Sequence, residues 1–252
     1  MPRYFIKLSY DGTNYHGWQL QDNAHSVQEE LETSLSVILK EKIQITGAGR
    51  TDAGVHARKY IAHFDVESAF NKEQIDDLVY RLNSVLPLDI SILNVFPVKN
   101  NAHARFTAIS RTYRYYISRS KDPFNNNYAW RVYGELDINT MNEAANVLFD
   151  YIDFTSFSKL HSDVKTNNCK IIHAQWTEEN GLLVFTITAD RFLRNMVRAI
   201  IGTLIDVGKG KISLVEFRKI IESKNRCDAG YSVPAKALFL EEIKYPEDIF
   251  EL

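Results

Sequence analysis

The 252-residue chain carries 30 Lys and Arg against 32 Asp and Glu, a formal net charge of −2, with 45% hydrophobic and 12% aromatic residues. That balance excludes a disordered or low-complexity chain and supplies the core of one large globular domain or two smaller ones. The near-neutral total also weighs against a nucleic-acid partner, although a total does not say where the charges sit.

From the N-terminus, Arg3 to Tyr10 alternates in aromatic and branched residues and predicts a strand. The turn Asp11-Gly12 and the loop block Tyr15-His-Gly-Trp-Gln19 follow. Ser26-Val-Gln-Glu29 has the spacing of a capping box, and Val27, Leu31, Leu35 and Ile38 then recur at helical intervals. A short strand is expected over Ile43 to Thr46, running into the glycine-rich stretch Gly47-Ala-Gly-Arg-Thr-Asp-Ala-Gly54. Tyr60 to Val66 predicts another strand. A second helix starts at Asn71, turns Ile75, Leu78, Val79, Leu82 and Val85 inward, and stops at Pro87. Ile90 to Val98 again has the pattern of a strand.

The second half repeats this grammar. Strands are predicted over Arg111 to Ser118, Lys170 to Thr177, Leu182 to Ala189 and Leu238 to Lys244. Asp137 caps a helix carrying Met141, Ala145 and Leu148. Another helix is expected from about Phe192 to Gly208-Lys-Gly210, and Ser213 with Glu216 caps a last one. Several strand pairs are joined by turns too short for a crossover helix. The expected fold is therefore α+β: two similar α/β halves, 1–104 and 105–252, forming a mixed, mostly antiparallel sheet with helices packed on it.

Two cysteines, Cys169 and Cys227, make neither a Cys-x-x-Cys pair nor a disulfide framework, which predicts a reducing, cytoplasmic setting. Met1 to Tyr10 lacks the apolar run of a signal peptide, and the most apolar stretch, Ile200 to Val207, is far too short to span a bilayer. No membrane partner is expected. The seven histidines show no metal-ligand spacing, so no metal site is expected either.

The Gly47–Gly54 run sets one Arg and one Asp among three glycines directly after a strand. A tight turn with Asp52 capping local amides is one reading; a loop presenting polar groups to a ligand is the other. The Gly-Lys-Ser/Thr of a nucleotide-hydrolysing loop is missing. His103-Ala-Arg-Phe106 and Arg111-Thr-Tyr-Arg-Tyr-Tyr116 concentrate arginines and aromatic rings, the groups that hold phosphates and stack on bases. A strand of core tyrosines with snorkelling arginines would look the same. Arg191, Arg194 and Arg198, at helical intervals, would line one face of a helix. The acidic residues Glu241, Glu242, Glu247, Asp248 and Glu251 crowd the other end of the chain, so a neutral total is compatible with a basic groove.

Taken together in this order, the Gly47–His56 stretch, Tyr15–Gln19, His103–Phe106, Arg111–Tyr115, Asp153-Phe-Thr-Ser-Phe157, Phe192–Arg198 and Pro234-Ala235 resemble the TruA family of tRNA pseudouridine synthases over nearly the whole chain. The resemblance implies a homodimer that isomerises uridines in the tRNA anticodon stem-loop without metal or organic cofactor. By position it implies Asp52 as catalytic carboxylate, Tyr113 as active-site tyrosine and Arg198 as the cation paired with Asp52. It further implies Arg50 as the base-flipping residue, and His103, Arg105, Phe106, Arg111, Lys170 and Arg194 as tRNA contacts. Leu238 falls on the floor of the uracil pocket. The family pattern is departed from at Ala237-Leu238, where Gly-Leu is usual, at Tyr151-Ile152 and at Thr166 to Lys170. A non-catalytic RNA-binding protein on the same fold is the rival reading, and an enzyme acting on a free nucleotide a more distant one.

Overall fold

The structure, a computed structural model, describes residues 1–159 and 166–250; Glu251 of the acidic tail lies outside them. In chain order the elements are β1 (Arg3–Tyr10), α1 (Val27–Leu39), β2 (Thr46–Gly47), β3 (His56–Asp65), α2 (Lys72–Val85) and β4 (Ile90–Val98). Then come β5 (Ser110–Ser118), β6 (Trp130–Arg131), α3 (Ile138–Val147), β7 (Ile171–Glu179), β8 (Leu182–Ala189), α4 (Met196–Gly208), α5 (Leu214–Glu222) and β9 (Leu238–Lys244).

The chain forms two compact units, Met1–Ile109 with Leu240–Leu252, and Ser110–Phe239. The boundary falls at 109/110, five residues past the 104/105 expected, and the last strand ends in the first unit. Residues 240–250 are held there by Arg58–Glu241 and Lys59–Glu242 ion pairs at 3.1 and 3.6 Å and by the Lys99 amide on the Ile249 carbonyl at 2.9 Å.

In the first unit β1 is central, antiparallel to β3 on one side and β4 on the other, with Ile6 facing Ala62 and Val95. The centre of β1 is buried on both faces, since Phe5 and Ile6 point to opposite sides and both, with Leu8, are completely buried; α1 adds Leu31 and Leu35. In the second unit β8 is central, antiparallel to β5 and β7, while β6 runs parallel to β5. Each unit is thus a central strand between two antiparallel partners with helices packed on the sheet, and the parallel β6 makes the second one mixed.

Besides the earlier start of β3, at His56 instead of Tyr60, four local expectations fail, three of them for an identifiable reason. No ladder forms over Ile43 to Ile45, because side chains of α1 take its backbone groups: Ser36 Oγ accepts from the Ile43 amide and Glu32 Oε1 from the Ile45 amide, both at 2.9 Å, and Gln28 Nε2 donates to the Ile45 carbonyl at 3.1 Å. At Ser26 only half of the capping box exists, since Ser26 Oγ accepts from the Glu29 amide while the Glu29 carboxylate turns to His25. On α2 only Leu78 and Leu82 are buried, and Val85 is exposed. Finally, α4 begins at Met196 instead of Phe192, because Asn195 takes the left-handed conformation at φ 67° and stops the helix there. Arg191 and Arg194 therefore precede the helix and share no helical face with Arg198.

Candidate active site

In the first unit the Gly47–Gly54 loop is fastened along its length. The Ala48 amide donates to the Ile61 carbonyl at 2.9 Å, Gly54 to Tyr15 at 3.3 Å, and Val55 closes back on the Asp52 carbonyl at 3.2 Å. Thr51 Oγ1 lies 3.0 Å from the Tyr10 hydroxyl and accepts from the Trp18 amide at 3.1 Å. The Tyr60 hydroxyl, from the neighbouring strand β3, donates to the Gly49 carbonyl and accepts from its amide at 3.3 Å. These bonds explain why the Tyr15–Gln19 block accompanies the loop in the sequence. It forms the bed on which residues 51–54 lie.

Two glycines are sterically required there. Gly17 has φ +97°, and a side chain on it would run into the Thr51 carbonyl. Gly47 sits under the stacked rings of Trp18 and Tyr60, whose centroids are 4.0 Å apart, and a Cβ would strike the indole nitrogen and the phenol. The result is a rigid base that leaves Arg50 exposed and Asp52 half-buried.

A pocket of about 280 Å³ opens beside this loop, lined by Gly47, Gly49 and Arg50 from the loop, by Trp18 and Gln19 beneath it, and by His103, Arg105 and Phe106. Four of the residues expected to contact tRNA, Arg50, His103, Arg105 and Phe106, are therefore gathered around one cavity. Asp52 sits two residues beyond Arg50 on the same loop and does not line the cavity. Phe106 is 76% exposed, and the Arg105 guanidinium is 5.5 Å from its ring centroid. That pair offers a ring face and a cation together.

The 102–107 turn is fixed from below. Arg3 pairs with Asp65 at 2.7 Å and donates to the Ala102 carbonyl at 2.8 Å. The Tyr245 hydroxyl donates to the Ala104 carbonyl at 2.6 Å, and buried His63 accepts from the Ala104 amide at 3.2 Å. His103 Nδ1 accepts from the amides of Arg105 and Phe106. Both histidines must be neutral at Nδ1 to accept. Burial above all, then Arg3 and His103, pushes His63 down to about 4, and burial with Arg3 and Arg105 lowers His103. Tyr60 and His63, which anchor the two halves of this surface, carried no sequence signal beyond strand periodicity.

In the second unit Tyr113 lies on β5 opposite Ile187, with Phe192 edge-on to its ring at 5.2 Å. Arg111 donates to the Asp190 carbonyl at 2.7 Å, and the Lys170 amide donates to the Asp190 carboxylate at 2.8 Å, so these two expected tRNA contacts converge on one residue. Arg194 is exposed ahead of α4, and its carbonyl accepts from the Lys159 amide at 3.0 Å. Arg198 is on α4 and donates through Nε to the Val233 carbonyl at 2.7 Å. Leu238 is buried at the start of β9. Among the described residues no group of three or more His, Cys, Asp or Glu is arranged to hold a metal ion, and no helix is long and apolar enough to cross a membrane.

Comparison with known proteins places these features in context. A profile described as tRNA pseudouridine synthase matches residues 7–107 and 151–246. A protein of Bacteroides thetaiotaomicron named tRNA pseudouridine synthase A is 59% identical over 253 residues, covering 99% of this chain and 93% of its own. One of the same name from Parabacteroides distasonis is 56% identical, covering 99% and 98%. A more distant one, from Clostridium acetobutylicum, is 41% identical over 242 residues, covering 95% and 98%.

Proposed function

The chain belongs to the tRNA pseudouridine synthase family, and from that membership we propose that it isomerises uridines of the tRNA anticodon stem-loop to pseudouridine, with Asp52 as the catalytic carboxylate. The observation that carries the reading is the fastened Gly47–Gly54 loop. It presents Asp52 and Arg50 from a rigid base and borders, through Arg50, a pocket rimmed by an exposed ring and a second cation.

Forming pseudouridine breaks the N1–C1′ bond, turns the uracil, joins C5 to C1′ and moves a proton from C5 to the ring nitrogen freed by the cleavage. Atoms and electrons balance within the nucleoside, so neither an oxidant nor an energy source is needed. Asp52 serves as the ionised group, either adding to the nucleoside or removing a proton from the ribose. Arg198 is assigned as the cation paired with Asp52. Tyr113 is assigned to the uracil face and to removal of the C5 proton. The target must first leave its stack, which costs a few kcal/mol, and insertion of Arg50 into the gap offsets part of that. His103, Arg105, Phe106, Arg111, Lys170 and Arg194 are assigned to the tRNA, and Leu238 to the uracil pocket. The enzyme acts as a cytoplasmic homodimer in this reading.

The test is direct: incubate the protein with unmodified tRNA and map pseudouridine by position. Product confined to the anticodon arm is expected. Binding without product on any tRNA would favour the rival, a non-catalytic RNA-binding protein.

A further inference from the structure

Only Arg198 and Asp206 interrupt the buried surface of α4, and the Arg198 side chain is aimed by a strap of chain, residues 226–234, laid on that helix. Besides receiving the Arg198 Nε proton on its carbonyl, Val233 returns its own amide to the Arg198 carbonyl at 3.3 Å. The strap lies close. A side chain on Gly202 would strike the Tyr231 carbonyl, and one on Gly230 would come 2.7 Å from the Thr203 amide. The Gly230 amide donates to Thr203 Oγ1 at 2.9 Å. From β5 the fully buried Tyr115 donates its hydroxyl to the Pro234 carbonyl at 3.0 Å. The Val233 carbonyl is thus a fixed point, and the long Arg198 side chain is directed by bonding to it.

The curve of the strap is held in turn by Arg226. Its guanidinium donates to the Ala229 carbonyl at 3.3 Å, to the Gly230 carbonyl at 3.1 Å and to Ser232 Oγ at 3.0 Å. Ser232 Oγ also accepts from Asn195 Nδ2 at 2.5 Å, so the left-handed residue that starts α4 is tied to the same hydroxyl. A planar fork of donors is the group suited to satisfying several acceptors at once.

We propose that Arg226 is a positioning residue for the isomerisation: it folds the 229–232 turn onto α4 and so fixes the Val233 carbonyl that directs Arg198. The inference rests on the assignment of Arg198 as the cation serving Asp52. Without the strap, Arg198 regains rotamer freedom, and a displacement of about 1 Å in a catalytic constellation can cost on the order of 100-fold in rate.

The experiment compares Arg226→Ala, Arg198→Ala and the double variant in single- and multiple-turnover pseudouridine formation on unmodified tRNA, across pH. Arg226→Ala is expected to lower kcat roughly 10- to 100-fold with KM within about twofold, and to move the acid limb of the kcat profile to higher pH in the same sense as Arg198→Ala. The double variant should be no slower than Arg198→Ala, because both act through one group. Arg226→Lys should recover part of the rate. If Arg226→Ala melts far below the parent protein, Arg226→Gln, which keeps a donor but cannot reach all three acceptors, is read instead, with a smaller loss of the same pattern expected. Effects that multiply in the double variant, a change in KM alone, or an unshifted pH profile would overturn the proposal. An Arg198→Ala enzyme with full rate and the parent profile would instead overturn the assignment of Arg198 itself.

Discussion

Replacing Tyr60 by Phe removes one oxygen atom from beneath the Asp52 loop and little else. The ring is fully buried, stacked on Trp18 at 4.0 Å and packed on Tyr10 at 5.7 Å, and Phe keeps those contacts. What is lost is the hydroxyl's double engagement of Gly49, as donor to its carbonyl and acceptor of its amide. Each such bond contributes about 0.5–1.5 kcal/mol net, and the 3.3 Å one belongs at the low end. Gly49 is half-buried, so water can reach the orphaned groups, and the sum is about 1–2 kcal/mol. For a protein of this size that corresponds to a fall of roughly 2–8 °C in melting temperature. The same change loosens the loop between Gly47 and Asp52, and kcat for pseudouridine formation should drop about tenfold while tRNA affinity holds. Thermal unfolding followed by circular dichroism, with parallel single-turnover assays, reads both effects. A variant that melts within 1 °C of the parent (roughly half of the smallest expected shift) and turns over at the parental rate would show that the hydroxyl does not hold the loop.

Three further outcomes are expected. Asp52→Asn should abolish product while leaving the melting temperature and tRNA Kd nearly unchanged; measurable turnover would remove Asp52 from the chemistry. Arg105→Ala should weaken tRNA binding and reduce the slope of log K against log salt by about one, in a filter-binding titration from low to moderate salt; an unaltered slope would separate Arg105 from the phosphates. His63 drives a pH effect on stability. Its folded value of about 4 lies below the ordinary 6.5, so the unfolded chain takes up a proton the folded one refuses. Stability present above pH 6.5 is therefore lost as pH falls toward 4, on the order of 1–2 kcal/mol once water at the ring edge is allowed for. Urea unfolding at pH 7 and pH 4 should show this decline in the parent and a flatter one in His63→Phe, with equal declines contradicting it.

Strands β1, β4, β8 and β9 have in the structure the bounds that their sequences predict, because each is a short run rich in apolar, aromatic and branched residues. Two elements shift where a single local event outweighs periodicity. Ile43 and Ile45 have strand-like side chains, yet their amides are claimed by Ser36 and Glu32 from across the loop. Phe192 continues the apolar rhythm of α4, but one left-handed asparagine resets the helix start. At the candidate site, the Gly47–Gly54 loop stands out in the sequence because glycine spacing and polar residues coincide there, whereas the parts given to Arg50 and Asp52 follow from the family resemblance. Tyr60, His63 and Arg226 do not stand out, since a tyrosine or histidine on a strand and an arginine in a loop carry their partners only in three dimensions.

The discontinuous first unit bears on how the protein is made. Its strands from Arg3 to Val98 leave the ribosome early, but residues 240–250, which pair with Arg58 and Lys59 and cover the Lys99 amide, emerge only after the whole second unit. At about 5–20 residues per second that interval is roughly 7–30 s, during which the flank of β3 that later faces Glu241 and Glu242 stands open. An unpaired strand edge is a template for wrong partners. The Arg58 and Lys59 side chains that later meet the tail supply, in the meantime, the positive charge that discourages another strand from docking there. Closure of that flank thus waits on residues 240–250 arriving before any competing edge does.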